Sequence, residues 1–440
     1  MCDMNRDASN SPGQSNATSD DKVTSSPGAP PLLPPPLPPS PKRRKFRAGP
    51  WVIALISAAA LALCLTVGLR LRGDVSPGRA ARSEAGVSYR NERIASVPWS
   101  IHVVKVDRSR KDLTFHVPLA RGKVLGVSRI EEQARAVPRE IGRAIAGVNG
   151  DFYERDHPAY AGDPRGLQIV HGELVSAPST VCVWFDAEGN PHLDEVKGDF
   201  KIKWANGVQT PFGLNQQRQP NLAVLYTPTY GASTHITGGR DLILERNGSG
   251  PWLPLQAGQI YQARIREVRA AAATHIPADA MVLSLGPQLL VNLPEVATGA
   301  LLEISTATTP DLKGAETAIG GGPTLIKDGK PFALKSPPPG TSPNYSERSK
   351  YERHPRSAVG WSSTHVYLVT VDGRQPRLSV GMKLAELAEY MAGLGCTEGM
   401  NLDGGKSAQM WMSGEIVNSP SRGADTVANC LLVVRKPEGR

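Results

Sequence analysis

Cysteine is scarce in this 440-residue chain, and Cys2, Cys64, Cys182, Cys396 and Cys430 are scattered, with no C-x-x-C pair and no zinc-ligand spacing. A disulfide framework is therefore excluded, and Cys182, Cys396 and Cys430 leave room for one bridge in an exported domain. The nine histidines include no H-E-x-x-H or comparable metal spacing. No serine sits in a G-x-S-x-G elbow, which argues against a serine hydrolase. Basic residues outnumber acidic ones, giving a formal net charge of +9. Yet no basic stripe alternates with stacking aromatics, and much of the positive charge flanks one apolar segment. Nucleic acid is accordingly not expected as a partner. Anionic substrates or lipid headgroups account for the balance equally well. Tandem repeats are also absent.

What is present divides into four stretches. Residues 1–50 form a Ser-, Gly- and Pro-rich tail that ends in Pro30 to Pro41 and the basic run Lys42-Arg43-Arg44-Lys45-Phe46-Arg47. This composition buries too little apolar surface to offset chain entropy and is expected to be disordered. Trp51 to Leu69 carries no charge, and roughly twenty apolar residues span a bilayer. Residues 51–71 are therefore expected to be a transmembrane anchor, with membrane lipid as a partner. The basic run before it favours a cytoplasmic N-terminus and a periplasmic or otherwise extracytoplasmic remainder. Arg43-Arg44-x-Phe46 also fits a twin-arginine signal, so cleavage and secretion is the alternative. Leu61-Ala62-Leu63-Cys64 is not a lipobox, because a bulky Leu precedes the Cys. Residues 72–96 read as a stalk, and 97–436 as the folded domain.

Within that domain, Ile101 to Val106, Ala144 to Val148, Val181 to Phe185, Leu222 to Tyr226, Val282 to Leu285, Leu289 to Val291, Val366 to Val371 and Asn429 to Val434 are apolar runs of strand length. Leu113 to Val117 alternates with period two. Ser128-Arg129-Ile130-Glu131 has the form of a capping box opening a helix that Pro138 ends. Leu384, Leu387, Ala388, Met391 and Leu394 share one helical face, with Gly395 placed as a C-terminal cap. The expected class is α+β, a mixed β-sheet core with flanking helices, preceded by the disordered tail and one transmembrane helix. Lys335 to His354 is a Pro-, Ser- and charge-rich insertion, read as a loop with the makings of a lid.

The polar residues that matter gather at strand ends and glycine turns: Asn149, Asp151, Arg356, Asp372, Arg374, Asn401, Asp403, Ser407 and Asn418. Singly each has an ordinary reading. Asp372-Gly373 is a hairpin turn, Arg374 a solvated charge, Asn418 a turn residue and His354 a structural imidazole. In order, however, they form Asn149-Gly150-Asp151-Phe152-Tyr153, Gly320-Gly321-Gly322-Pro323-x-Leu325, His354-Pro355-Arg356-Ser357-Ala358-Val359-Gly360, Val371-Asp372-Gly373-Arg374 and Asn401-Leu402-Asp403-Gly404-Gly405-x-Ser407. This series resembles the phosphodiester glycosidase family over roughly residues 97–435.

The resemblance implies cleavage of a sugar from a sugar phosphodiester or an envelope polysaccharide. Glycoside cleavage passes through an oxocarbenium-like state and usually needs two carboxylates. Asp151, Asp372 and Asp403 are the candidates for water-activating base and charge stabiliser. Arg356 and Arg374 are candidates to grip the phosphate, and Asn149, Asn401, Ser407 and Asn418 to bind the sugar. Gly321, Gly322, Gly404 and Gly405 allow close approach of backbone N–H groups to a phosphate oxygen. Two other readings stand beside this one. The first is a non-catalytic carbohydrate-binding or exopolysaccharide assembly factor. The second is a metal-dependent phosphodiesterase, in which the acidic residues hold Ca²⁺ or Mg²⁺ through oxygen ligands. The chain departs from the family pattern at Lys406, where a third glycine is usual. It departs again at Asp425-Thr426-Val427, where an Arg is often found and Arg422 stands nearby. Both changes bear on substrate identity.

Overall fold

Apolar runs without a helical period become strands buried on both faces, and these dominate the molecule. The structure, a computed structural model, describes residues 75–77, 82–294, 296–334 and 344–437. All of these fall in one unit, Cys64–Arg440. The tail of residues 1–50 and the apolar segment 51–71 lie outside the described residues, as does 335–343 of the expected lid. Among the described residues there are twenty-six strands and three α-helices, Ile130–Arg135, Tyr345–Ser349 and Leu384–Gly393. The α+β expectation is thereby corrected: the protein is mainly β. No helix of the described residues is long and apolar enough to cross a membrane, so the transmembrane part of that expectation has no support in the structure.

The largest sheet has nine strands. Its order is Val75–Pro77, Val87–Ile94, Trp99–Asp107, His365–Val371, Arg356–Trp361, Glu398–Asn401, Thr324–Lys327 and Lys330–Pro331, with Arg82–Glu84 paired to Val87–Ile94. Val87–Ile94 pairs along its whole length with Trp99–Asp107, so the segment expected as a stalk already belongs to the sheet. Its arginines hid a period-two pattern in which Val87, Tyr89 and Asn91 point inward while Ser88 and Arg90 point out.

Strands Trp99–Asp107 and His365–Val371 feed two cores. Val104, Val106 and Leu368 face Val148, Leu431, Val433 and Ile319 of two further sheets. Ile101, Val103, Val369 and Val371 face Leu384, Leu387, Ala388 and Met391 of the one long helix. The apolar side of a sheet is thus buried against other sheets on one face, and a helix covers only the other. That helix ends as its sequence implies, with Gly395 at φ +86° just beyond the C-cap Leu394. The helix Ile130–Arg135 starts one residue later than its expected capping box, with Arg129 as N-cap.

Two five-stranded sheets complete this part, Glu415–Ile416, Met410–Met412, Arg143–Asn149, Cys430–Arg435 and Leu113–His116 in one, and Pro191–Glu195, Val181–Phe185, Thr317–Gly320, Gln168–Val170 and Glu173–Ser176 in the other. Between Pro191–Glu195 and Thr317–Gly320 the chain makes a long excursion into a closed seven-stranded barrel. Lys197–Trp204 and Leu301–Thr309 pair to close it. Its core is continuous with the adjoining sheet through Leu167, Ile169, Leu174 and Ala318. Leu289 to Val291, expected as a strand, instead includes a turn of 3-10 helix, Leu290–Asn292.

Candidate functional site

One rim of the sheets collects the motif residues. Arg143–Asn149, Thr317–Gly320, His365–Val371 and Glu398–Asn401 all end there, and Arg356–Trp361 begins there, with Arg356 opposite Val371 and Ala358 opposite Asn401. The segment Leu402 to Ser407 crosses this rim. Antiparallel pairing brings strand ends together from distant parts of the chain, which is how residues some 250 positions apart in sequence meet.

Asn149 lies under the loop. It is fully buried; its Nδ2 donates to the Asp403 carbonyl at 2.6 Å, while its Oδ1 accepts from the Ser357 hydroxyl at 2.6 Å and from the Gln409 N–H at 3.1 Å. With both ends of its amide engaged, Asn149 positions the loop and does not present itself to a sugar. The Asp403 N–H in turn donates to the Gly150 carbonyl at 3.0 Å.

The two carboxylates at the centre are Asp151 and Asp403. Asp151 accepts from the N–H groups of Phe152 at 2.7 Å and Gly166 at 2.8 Å. Burial, helped by the nearby Asp403 and opposed by those two N–H groups, pushes its carboxyl up to about 7. A Cβ on Gly320 would collide with Asp151 Oδ2, so the last residue of Thr317–Gly320 must lack a side chain for the carboxylate to sit where it does. Burial likewise raises Asp403, opposed by the Ser407 hydroxyl, Arg155 and the Gly404 N–H. That N–H lies 2.8 Å from Asp403 Oδ1.

Arg155, which the sequence reading did not single out, joins this group. Its Nη2 donates to Ser407 Oγ at 2.5 Å and to the Tyr153 hydroxyl at 2.6 Å, and stands 3.7 Å from Asp403 Oδ2. The guanidinium also lies over the Tyr153 ring, 4.4 Å from its centroid. Its only sequence signal was a position two residues past the Asn-Gly-Asp-Phe-Tyr run. Ser407, itself buried, thus bridges Arg155 and Asp403 and is neither a nucleophile nor a free sugar ligand.

Asp372 is on the same rim but is otherwise occupied. Its Oδ2 lies 2.8 Å from His102 Nε2, and its Oδ1 accepts from Asn418 Nδ2 at 3.1 Å and the Ser419 N–H at 2.8 Å. His102 Nδ1 lies 2.8 Å from the Tyr89 hydroxyl. Asn418 continues the chain of contacts, donating to the Ala408 carbonyl at 3.1 Å and accepting from the Met410 N–H at 2.8 Å. Asp372 and Asn418 therefore brace the strand that leaves the loop. A carboxylate already holding three partners and 2% exposed has little room for a water.

The two motif arginines separate in the same way. Arg356 is buried, and its guanidinium donates to the carbonyls of Met382 at 2.9 Å, Ser349 at 2.6 Å and Glu352 at 2.9 Å. It fastens the helix Tyr345–Ser349 and the following turn to the sheet. Arg374 is exposed, with Nη2 3.3 Å from His354 Nδ1. Its guanidinium also rests against Gly405, which has φ +62°. Burial and the two arginines hold the His354 imidazole below its ordinary value, consistent with a structural imidazole. Asn401 Nδ2 donates to the Gly322 carbonyl at 2.8 Å, the Gly322 N–H donates to the Asn401 carbonyl at 2.7 Å, and a Cβ on Gly321 would press on that carbonyl. Gly404 packs equally tightly on the Pro355 carbonyl. These glycines serve backbone packing beneath the loop. Asn401 Oδ1 is buried with no hydrogen-bond partner among the described residues.

Among the described residues no group of three or more His, Cys, Asp or Glu side chains comes together to hold a metal. A groove of about 1310 Å³ opens at the other end of the sheets, between Asp107, Phe115, Phe185, Thr317 and His365, away from all the motif residues.

Residues 276–434 match the model of the phosphodiester glycosidase family, which bears out the resemblance read from the motifs. Four of the five motifs fall in that span; Asn149 to Tyr153 precedes it. Over that span the chain is thus similar to a glycosidase-type hydrolase domain. It is 30% identical over 127 residues to YomE, an uncharacterized SPbeta prophage-derived protein of Bacillus subtilis, a match that takes in 29% of this chain and 18% of that protein. The chain therefore spans less than a fifth of the curated relative it matches. A solved protein of Synechocystis shares the fold at 19% identity and TM-score 0.64, over 82% of this chain and 68% of that one. A Burkholderia pseudomallei protein described as exported does so at 23% identity and TM-score 0.57, over 78% and 74%. The catalytic domain of zebrafish N-acetylglucosamine-1-phosphodiester alpha-N-acetylglucosaminidase, auto-inhibited by its pro-peptide, is similar at 13% identity and TM-score 0.41, over 82% and 81%.

Proposed function

We propose that this domain hydrolyses the glycosidic bond of a sugar phosphodiester, alone or within an envelope polysaccharide, with Asp403 as the water-activating base and Asp151 as its proton-holding partner. The observation that carries this reading is the presence at one loop of two carboxylates raised by burial, Asp151 and Asp403, the second adding to the cost of ionising the first, beside the Arg155 guanidinium. Asp151, raised to about 7, holds its proton up to near neutral pH.

Asp403 is the more open of the two, its side chain 17% exposed against 4% for the Asp151 residue. It takes the proton of a water that attacks the anomeric carbon, while the bond from that carbon to the phosphate oxygen breaks. Positive charge developing on the sugar is stabilised by the single negative charge of the pair. The departing phosphomonoester leaves as an anion. It needs little acid assistance but does need cations, which Arg155 and Arg374 supply beside the loop. Work outside the cytoplasm is supported by the uncharged run 51–69 behind a basic cluster, and by the shared fold with the exported Burkholderia protein.

Asp403→Asn tests the assignment. Turnover of a synthetic sugar phosphodiester should vanish while circular dichroism stays that of the parent. A parental rate in that variant removes Asp403 from the mechanism.

A further inference from the structure

Lys406 and Asp425 stand on different loops, and each departs from the pattern that the rest of the site follows. In the folded chain they meet: Lys406 Nζ lies 3.3 Å from Asp425 Oδ2. Exposed ion pairs contribute little to stability, so the position of this one is more informative than its strength. Lys406 is flanked by Gly405, against which the Arg374 guanidinium rests, and by Ser407, which Arg155 contacts at 2.5 Å. Lys406 therefore lies in the chain between the contact points of the two arginines assigned to the phosphate, with its ammonium turned to Asp425.

The two partners differ in freedom. Asp425 is in a fixed wall: its carbonyl accepts from Gln409 Nε2 at 3.0 Å, and the next carbonyl, of Thr426, accepts from the Tyr153 hydroxyl at 2.9 Å. Lys406 has 46% of its side chain exposed and sits on a flexible four-carbon stem. A phosphate entering between Arg155 and Arg374 competes with the Asp425 carboxylate for that ammonium.

We infer that Lys406 and Asp425 form an electrostatic latch at the mouth of the site, in which the substrate phosphate takes Lys406 from Asp425. Lys406 is then the third phosphate-binding cation, and Asp425 sets the threshold by competing for it. The inference rests on the proposed reading of the site and adds its specificity determinant: a ligand without an anionic phosphate leaves the latch closed.

Inorganic phosphate is the probe, titrated by calorimetry into the purified domain and its Lys406→Ala, Asp425→Asn and doubly substituted forms. Lys406→Ala should weaken binding about tenfold, the loss of one charge-assisted hydrogen bond. Asp425→Asn should tighten it, and the double variant should match Lys406→Ala, because Asp425 acts only through the lysine. KM for a sugar phosphodiester should move in the same directions. Parental affinity in both single variants, additive effects in the double one, or no phosphate binding by the parent overturns the latch. Folding of each variant is checked by circular dichroism; both side chains are partly exposed. If the phosphate series behaves as expected while no sugar phosphodiester is turned over, the latch stands and the hydrolytic reading falls.

Discussion

The amide of Asn149 holds the main chain of Asp403 from below, Nδ2 to carbonyl, at 2.6 Å. One strand end from the first half of the chain thereby fixes the height of a loop that arrives some 250 residues later. The same amide oxygen receives Ser357 and Gln409, so four segments share a single side chain. Truncation to alanine leaves a buried carbonyl, a hydroxyl and an N–H without partners. Asn149→Ala should cost roughly 3 kcal/mol of stability and lower kcat more than it raises KM. Chemical denaturation alongside steady-state kinetics reads both.

Gly320 makes a separate prediction. Because a Cβ there would collide with the Asp151 carboxylate, Gly320→Ala should displace Asp151 and depress kcat at least about tenfold, the effect of misplacing a group that must be held in geometry. A parental pH–rate profile with parental kcat would show that Asp151 is not where the chemistry occurs.

Asp151 also links stability to pH. Its folded-state value of about 7 lies above the ordinary carboxylate value of 3.8, so the folded chain binds the extra proton between those limits. Stability is then greatest below about pH 4 for this group and is lost as pH rises towards 7. Relative to Asp151→Asn, the parent should lose up to roughly 4 kcal/mol between pH 4 and pH 8. Denaturation at several pH values gives the difference curve. The rate should fall on the alkaline side near pH 7, when a second negative charge appears beside the leaving phosphate.

Arg356 and Arg374 should respond oppositely to the same substitution. Arg356→Ala removes a donor from each of three carbonyls and should lower the melting temperature. Arg374→Ala, at an exposed guanidinium resting on Gly405, should leave melting nearly unchanged and raise KM. Melting curves and KM values for the pair check the division.

Local pattern carried much of the β structure. Val181–Phe185 has the expected bounds, and the helix Leu384–Gly393 buries the predicted face. The barrel was not legible, because closure depends on Lys197–Trp204 pairing with Leu301–Thr309, about a hundred residues away, and no local period encodes that. In the site, Asp403 and Asp151 could be read from motifs. Their environments could not: the partner that occupies Asp372 is His102, 270 residues earlier, and Arg356 carries the same motif signal whether it grips phosphate or carbonyls. Arg155 escaped notice because its role arises from the turn that folds Tyr153 and Ser407 onto it. Lys406 and Asp425 were each visible as oddities, but their pairing required the fold.

The most direct test of the hydrolytic reading is turnover of a synthetic sugar phosphodiester in oxygen-18 water, with mass spectrometry of both products. Attack at the anomeric carbon with Asp403 as base places the label in the freed sugar and leaves the phosphomonoester unlabelled. Label in the phosphate would mean attack at phosphorus, and would contradict the account.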